Sequence, residues 1–427
     1  MRLSERNGAQ ARTDMHQEQT LAGRVRPILG ALALSQAVSS AAVAINFMSG
    51  SILLVQMSGG NRNLAGAPGA LTLLVASAAA VYIGKLKDRI GYRAILNLGY
   101  AAGSGAGILA AFAASYESMP LLLCAMVLVG LATGSIMLCR FAAAEIHPAE
   151  KRGKALSKVM MGATVGALCG PLLVDFAYSP GRFMPSGPVA SFSIVAVLYL
   201  AGLASSRLLL RVEPKDLAVR DTGPGPAGLP GKSGSGAAPR RLLSDRAFAL
   251  GSLSIAQVAM VFVMAVTPVH MHHHHHAMGD ISFVLMAHFF GMYGCSFLTG
   301  AFADKYGRAA AIGLGSAVLL VSCLLGAFSQ GYAGLLAALF LLGLGWNFCF
   351  LSGTALVADS LKAVADKGRI QGRADAFVSV GSAVAGFSSG FCLERIGFQG
   401  MAAVGCVLAV LPLVLMLLRK LPSRQGT

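Results

Sequence analysis

The chain reads as an all-α membrane protein of twelve transmembrane helices in two six-helix bundles. Three observations predict this. Of 427 residues, 55% are hydrophobic and only 12% charged. The apolar residues gather into runs of about 20, the length of helix that crosses a hydrocarbon core. The basic residues, finally, crowd into alternate loops.

The runs fall near 28–52, 64–84, 94–115, 119–142, 156–177, 188–210, 247–270, 281–303, 309–329, 333–355, 374–392 and 398–418. An even number of crossings returns the chain to its starting side. Of 34 Lys and Arg residues, 29 lie in the two tails and in or at the edge of the loops after spans 2, 4, 6, 8 and 10, whereas the other loops hold only Arg62, Arg182 and Arg395. Arg140 and Lys158 lie within or at the edge of spans. By the positive-inside rule both termini are cytoplasmic. The formal charge of +16 is thus accounted for by topology, which leaves no basic face for nucleic acid. The first run is long and lacks a small-residue cleavage pattern, so it reads as span 1 and not as a signal peptide. The eight cysteines, at 124, 139, 169, 295, 323, 349, 392 and 406, fall inside the predicted spans without a CxxC pair, which argues against a disulfide framework or zinc knuckle. They read as packing residues.

Residues 212–246 change character: DTGPGPAGLPGKSGSGAAPRR cannot bury a core and reads as a flexible cytoplasmic linker. The predicted organisation is therefore a cytoplasmic tail over 1–27, an N-terminal bundle over 28–211, the linker over 212–246, a C-terminal bundle over 247–418 and a tail over 419–427. A short motif repeats between the halves. GKLKDRIGYRAIL, Gly84 to Leu96, joins spans 2 and 3, and GAFADKYGRAAAI, Gly300 to Ile312, joins spans 8 and 9. Gly91 and Gly307 permit a tight turn, while Asp88 and Asp304 suit a helix cap or an ion pair with an arginine. Arg89 and Arg308 flank those turns, and the set reads as a cytoplasmic latch.

This repeated loop resembles the signature of the major facilitator superfamily, matched from Gly84 to Arg93. The resemblance extends over all twelve spans and implies two bundles rocking about a central site, a transporter and not an enzyme, with no cofactor. It also implies that Arg140, near the inner end of span 4, pairs with Asp88 as a structural latch, with a substrate contact as the other reading. In span 5, Gly162, Gly166, Gly170 and Pro171 form a small-residue ridge for close helix approach. That ridge partly resembles the motif of proton-coupled drug exporters, although Val174 and Asp175 stand where the motif has a further glycine pair. Asp175 reads as a proton relay or a solvated helix end.

The second half carries the chemistry. Met260 and Met264 in span 7, and His288 and Met292 in span 8, are each spaced i, i+4 and so share a helix face. If the two spans are antiparallel neighbours, Met264 and His288 stand at similar depth, with Met260 and Met292 about one turn deeper. Three thioethers and an imidazole suit Cu(I) better than Mg, Ca or Mn, and Zn favours thiolate, imidazole or carboxylate. The ordinary alternative is packing: 18 methionines yield about one MxxxM pair by composition alone, and an intramembrane histidine often serves as a hydrogen-bonded packing residue. The second pair, at matching depth, is what packing does not require. Neutral thioethers add no charge to the membrane interior, and His288 must be neutral to ligate, which makes the site pH-dependent.

Between the pairs lies VHMHHHHHAMGD, Val269 to Asp280. His270, Met271, His272, His273, His274, His275 and His276 read as an outer metal-collecting surface, a polar loop or an internal tag. Continuity with span 7 disfavours the tag. Both pairs and their interval resemble the MxxxM and HxxxM motifs of the CcoA-like copper importers. That resemblance implies copper import across a bacterial inner membrane, supply of cytochrome oxidase assembly, and contact with a copper chaperone or oxidase assembly factors. The reading is of a monomer in the lipid bilayer with copper as transported ion. Two alternatives are an exporter of small organic molecules and a membrane sensor that binds copper without moving it.

Overall fold

In hydrocarbon every backbone N–H and C=O must find an internal partner, and a chain this apolar meets that demand by remaining helical. The computed structural model describes residues 27–137, 142–143, 146, 149–179, 186–210, 239–329, 331–360 and 367–420. Span 1 is Pro27–Met57. Spans 2 to 6 are Ala67–Ile90, Tyr92–Ser115, Met119–Ile136, Ala149–Tyr178 and Gly187–Leu209. Span 7 consists of Pro239–Met264 and Thr267–His273. Span 8 is Met278–Phe289, a π-turn Phe290–Gly294 and Ser296–Tyr306, bent by 40°. Spans 9 and 10 are Arg308–Phe328 and Tyr332–Ser360. Spans 11 and 12 follow without a loop in Lys367–Lys420, which Gly397 turns at φ 66° and ψ 176°. Its 54 residues would run about 80 Å as one helix, far more than the ~30 Å of a hydrocarbon core. The break at Gly397 therefore makes two crossings, and the total is the twelve that the sequence predicts.

Spans 7 and 8 depart most from the predicted runs. Span 7 starts at Pro239, inside the expected 212–246 linker, and does not run unbroken over 247–270. Pro268 explains the interruption, since it lacks the N–H that would bond the Met264 carbonyl. Span 8, expected as one rod over 281–303, is broken at its π-turn.

The repeated loops are equivalent in conformation as well as in sequence. Gly91 adopts φ 84°, ψ 166° before span 3 and Gly307 adopts φ 92°, ψ 153° before span 9, a region in which a β-carbon is strained. In the N-terminal half, span 5 packs on span 1 through its glycine ridge. A β-carbon at Gly162 would overlap the Ala33 carbonyl oxygen, one at Gly166 the Ala37 carbonyl oxygen, and one at Gly170 would stand 2.8 Å from the Ala41 carbonyl oxygen. The ridge is thus a backbone-to-backbone seam.

The halves meet at the end where spans 1, 7 and 11 finish. Arg62 and Glu394 pair at 2.9 Å, Gln56 Nε2 and His272 Nε2 stand 3.4 Å apart, and Ser282 Oγ donates to Met48 Sδ at 3.8 Å. Backbone touches backbone as well: a β-carbon on Gly66 would overlap the Gly386 carbonyl oxygen, and one on Gly390 the Asn63 carbonyl oxygen. A β-carbon on Gly279, at the start of span 8, would lie 3.2 Å from an Asp175 carboxylate oxygen. This end of the molecule is closed.

Candidate functional site

All four motif residues are interior. Met260, Met264 and Met292 are 3%, 5% and 6% exposed and belong to one continuous apolar core, and His288 is fully buried. Each pair sits at an irregularity of its helix: Met264 ends the straight part of span 7, and Met292 lies within the π-turn of span 8. Interruptions of this kind re-aim side chains and often mark functional positions.

One expectation changes at this site. The sequence makes spans 7 and 8 direct neighbours; in the structure both pack along span 10, span 7 packs still more extensively along Lys367–Lys420, and the two meet through the short hairpin between Thr267–His273 and Met278–Phe289. Span 10 therefore forms a common wall behind both pairs. Its approach to span 8 is close because glycines stand on both sides. A β-carbon on Gly343 would overlap the His288 carbonyl oxygen, and one on Gly291 the Phe340 carbonyl oxygen.

That wall fixes the imidazole. His288 Nδ1 lies 2.9 Å from the Leu339 carbonyl oxygen, an acceptor, so Nδ1 carries the proton and Nε2 presents its lone pair. His288 Nε2 is buried and has no hydrogen-bond partner among the described residues. A backbone carbonyl on one ring nitrogen with the other nitrogen left open is how metal-ligating histidines are commonly oriented. Below it span 10 supplies an aromatic floor: Trp346 Nε1 donates to Gln257 Oε1 at 2.6 Å, packs edge-on to Tyr293 and stacks on Phe350 at a centroid distance of 4.5 Å.

The histidine segment is only partly a surface. His270 and Met271 are buried, and His270 stacks on Phe398 at 4.3 Å, so neither belongs to the expected outer collecting face. They continue the helix Thr267–His273, whose inner side packs into the bundle. His273, His274 and His275 are exposed, with His272 and His276 half-buried. Among the inner-end residues, Arg308 pairs with Asp359 of span 10 and donates to the Ala355 carbonyl oxygen, which locks spans 9 and 10 together. Asp304 is exposed and does not cap span 9, whose N-cap is Gly307. Arg89 is exposed. Arg140 and the side chain of Asp88 lie outside the described residues, and so does their expected pairing.

Sequence reasoning missed Gly343, Gln257, Trp346 and Asp359. The single tryptophan of the chain was a visible signal. Nothing in the spacing, however, linked span 10 to the motifs of spans 7 and 8.

Twelve crossings, glycine-turned signature loops in both halves and closure at one end agree with the comparison with known families. The profile of the Major Facilitator Superfamily matches residues 32–277 and 247–427. The chain belongs to the major facilitator superfamily. It is accordingly a multi-pass membrane transporter and not an enzyme, and such transporters work without a resident cofactor. Among superfamily relatives, it is 32% identical over 388 residues to an uncharacterized MFS-type transporter of Bacillus subtilis, YdeG, covering 89% of each chain. It is also 32% identical over 347 residues to the riboflavin transporter RfnT of Brucella anthropi, covering 78% of this chain and 81% of that protein. Its fold resembles the inward-open conformation of the xylose transporter XylE from E. coli, with a TM-score of 0.70, 16% identity and coverage of 94% and 98%.

Proposed function

We propose that this superfamily member imports copper, carried as Cu(I), across a bacterial inner membrane with both termini cytoplasmic, and that it supplies cytochrome oxidase assembly. The observation that carries this reading is the fully buried His288, whose Nδ1 is held by Leu339 while Nε2 is left open, together with the burial of Met260, Met264 and Met292. An orphaned buried nitrogen costs about 1–3 kcal/mol, which a purely structural histidine would relieve. Met260, Met264 and Met292 supply soft, neutral donors that match Cu(I). Because the donors come from two spans braced on a third, relative movement of the spans removes ligands and frees the ion. The exposed His273, His274 and His275 would gather the ion at the entrance. The inner latch extends the same reading: Asp88 with Arg140 in one half, and Arg308 with Asp359 in the other, would hold the cytoplasmic ends.

The test is uptake of radiolabelled copper by reconstituted vesicles. His288→Leu and Met264→Leu should each reduce accumulation to the protein-free background while expression and elution profile stay normal. Wild-type accumulation in both variants would sink the proposal.

A second reading, transport of a planar organic solute, is favoured by the Trp346, Phe350 and Gln257 floor together with the similarity to a riboflavin transporter. It predicts that Trp346→Ala abolishes transport of such a solute while His288→Leu leaves it intact.

A further inference from the structure

A site made entirely of residues from spans 7 and 8 has a shortcoming in a rocking transporter. A ligand shifts a conformational equilibrium only by its differential affinity for the two states. Four donors on one half sense the placement of the other half only through movements within their own bundle, so an ion held by them alone has little leverage on closure over opening. Coupling requires a contact from the N-terminal half.

We infer that Met48 is that contact, a thioether from span 1 that receives the copper ion on its way to Met264 and His288. This rests on the copper reading above and deepens it. Met48 is fully buried and belongs to the same apolar core as Met260, Met264 and Met292. Its sulfur accepts from Ser282 Oγ of span 8 at 3.8 Å, so it already faces the opposite half at the closed end. It lies in a π-turn, Asn46–Gly50, as Met292 does in Phe290–Gly294, and the described residues contain no other π-turns. Within that turn Asn46 Nδ2 donates to Thr72 Oγ1 at 2.8 Å, which ties the turn to span 2 and fixes its orientation.

Depth makes Met48 an outer station. Ser282 precedes His288 by six residues, or about 9 Å of helix, and helical side chains lean toward the N-terminus, here toward Ser282. Met48 therefore stands between the histidine segment and the deeper imidazole. A weak thioether–hydroxyl contact is easily exchanged for a copper ion. An ion seated there would touch both halves and draw them together, so loading would favour the closed outer end.

The experiment compares Met48→Leu, Met48→Cys and His288→Leu in vesicles, reading initial copper uptake and, on the same detergent-purified protein, copper retained at equilibrium. Met48→Leu should lower uptake at least tenfold while retained copper stays near wild type, because the deeper donors remain. Met48→Cys, which restores a soft donor of smaller size, should recover a substantial part of the rate. Wild-type uptake in Met48→Leu, or equal loss in the Leu and Cys variants, would overturn the inference. If His288→Leu also transports normally, the failure lies in the copper reading itself.

Discussion

Span 1 and span 7 open the two halves in corresponding positions, and both are interrupted before ending in a seven-residue helix, Ser51–Met57 in one and Thr267–His273 in the other. Those end pieces face each other at the closed rim, where Gln56 meets His272. The interruptions differ in kind. Span 1 widens into a π-turn that keeps the helix hydrogen-bonded, whereas span 7 stops at Met264 and restarts at Thr267 ahead of Pro268. A widened turn re-aims a side chain and leaves the rod intact, while a proline break uncouples the two pieces. The stiffer version also lies against the glycine seam of span 5. The N-terminal half therefore behaves as the frame, and the C-terminal half holds the part that can flex.

The frame is most vulnerable at the seam between spans 1 and 5. Gly166→Val would drive a branched side chain into the Ala37 carbonyl, where no flexible neighbour can yield, and should cost more than about 4 kcal/mol, beyond the usual range for a point change. Loss of the monodisperse peak in fluorescence-detected size exclusion would show it; normal assembly would mean that the seam is not fixed. Gly343→Val tests the corresponding seam of the C-terminal half, where it would separate span 10 from span 8 and swing His288 away from Leu339. Retained copper should fall about tenfold, equivalent to 1.4 kcal/mol, with the protein still folded. Healing the break is gentler: Pro268→Ala lets span 7 continue through Met264 and should slow copper uptake severalfold while raising the thermal midpoint by a few degrees, since an interior proline costs about 3 kcal/mol. An unchanged rate would show that the interruption is not needed for movement. The smallest effect is expected at the rim. Gln56→Ala removes a half-exposed contact worth about 1 kcal/mol or less, and a cysteine reporter placed in the histidine segment should label up to a few times faster.

Much of this was legible in the chain because hydrocarbon allows few solutions. Run length gave twelve crossings, and the doubled Asp–Gly–Arg loop gave the halves. The ridge of Gly162, Gly166 and Gly170 was readable as close packing, since no other residue lets two backbones touch. The i, i+4 spacing put Met260 with Met264, and His288 with Met292, on a shared helix face, whereas the burial of both faces is visible only in the structure. What spacing cannot convey is which helix stands behind a pair. Span 10 was invisible as the common wall, because Gly343 and Leu339 act through absent side chains and a carbonyl, which have no periodicity to read. The histidine run shows the converse error: composition made His270 and Met271 part of an exposed collector, whereas the end of span 7 continues into them and turns them inward. Asp175, read as a relay or a solvated end, was found at the start of span 8, where the helix dipole favours an anion.

The glycine contact between Gly66 and Gly386 has a practical corollary. Two main chains resting on each other leave no room for a doorstop, so any side chain at Gly66 wedges the entrance ajar. Gly66→Leu would thus yield a protein stalled with this end open, a form in which loading of the substrate could be watched without its delivery.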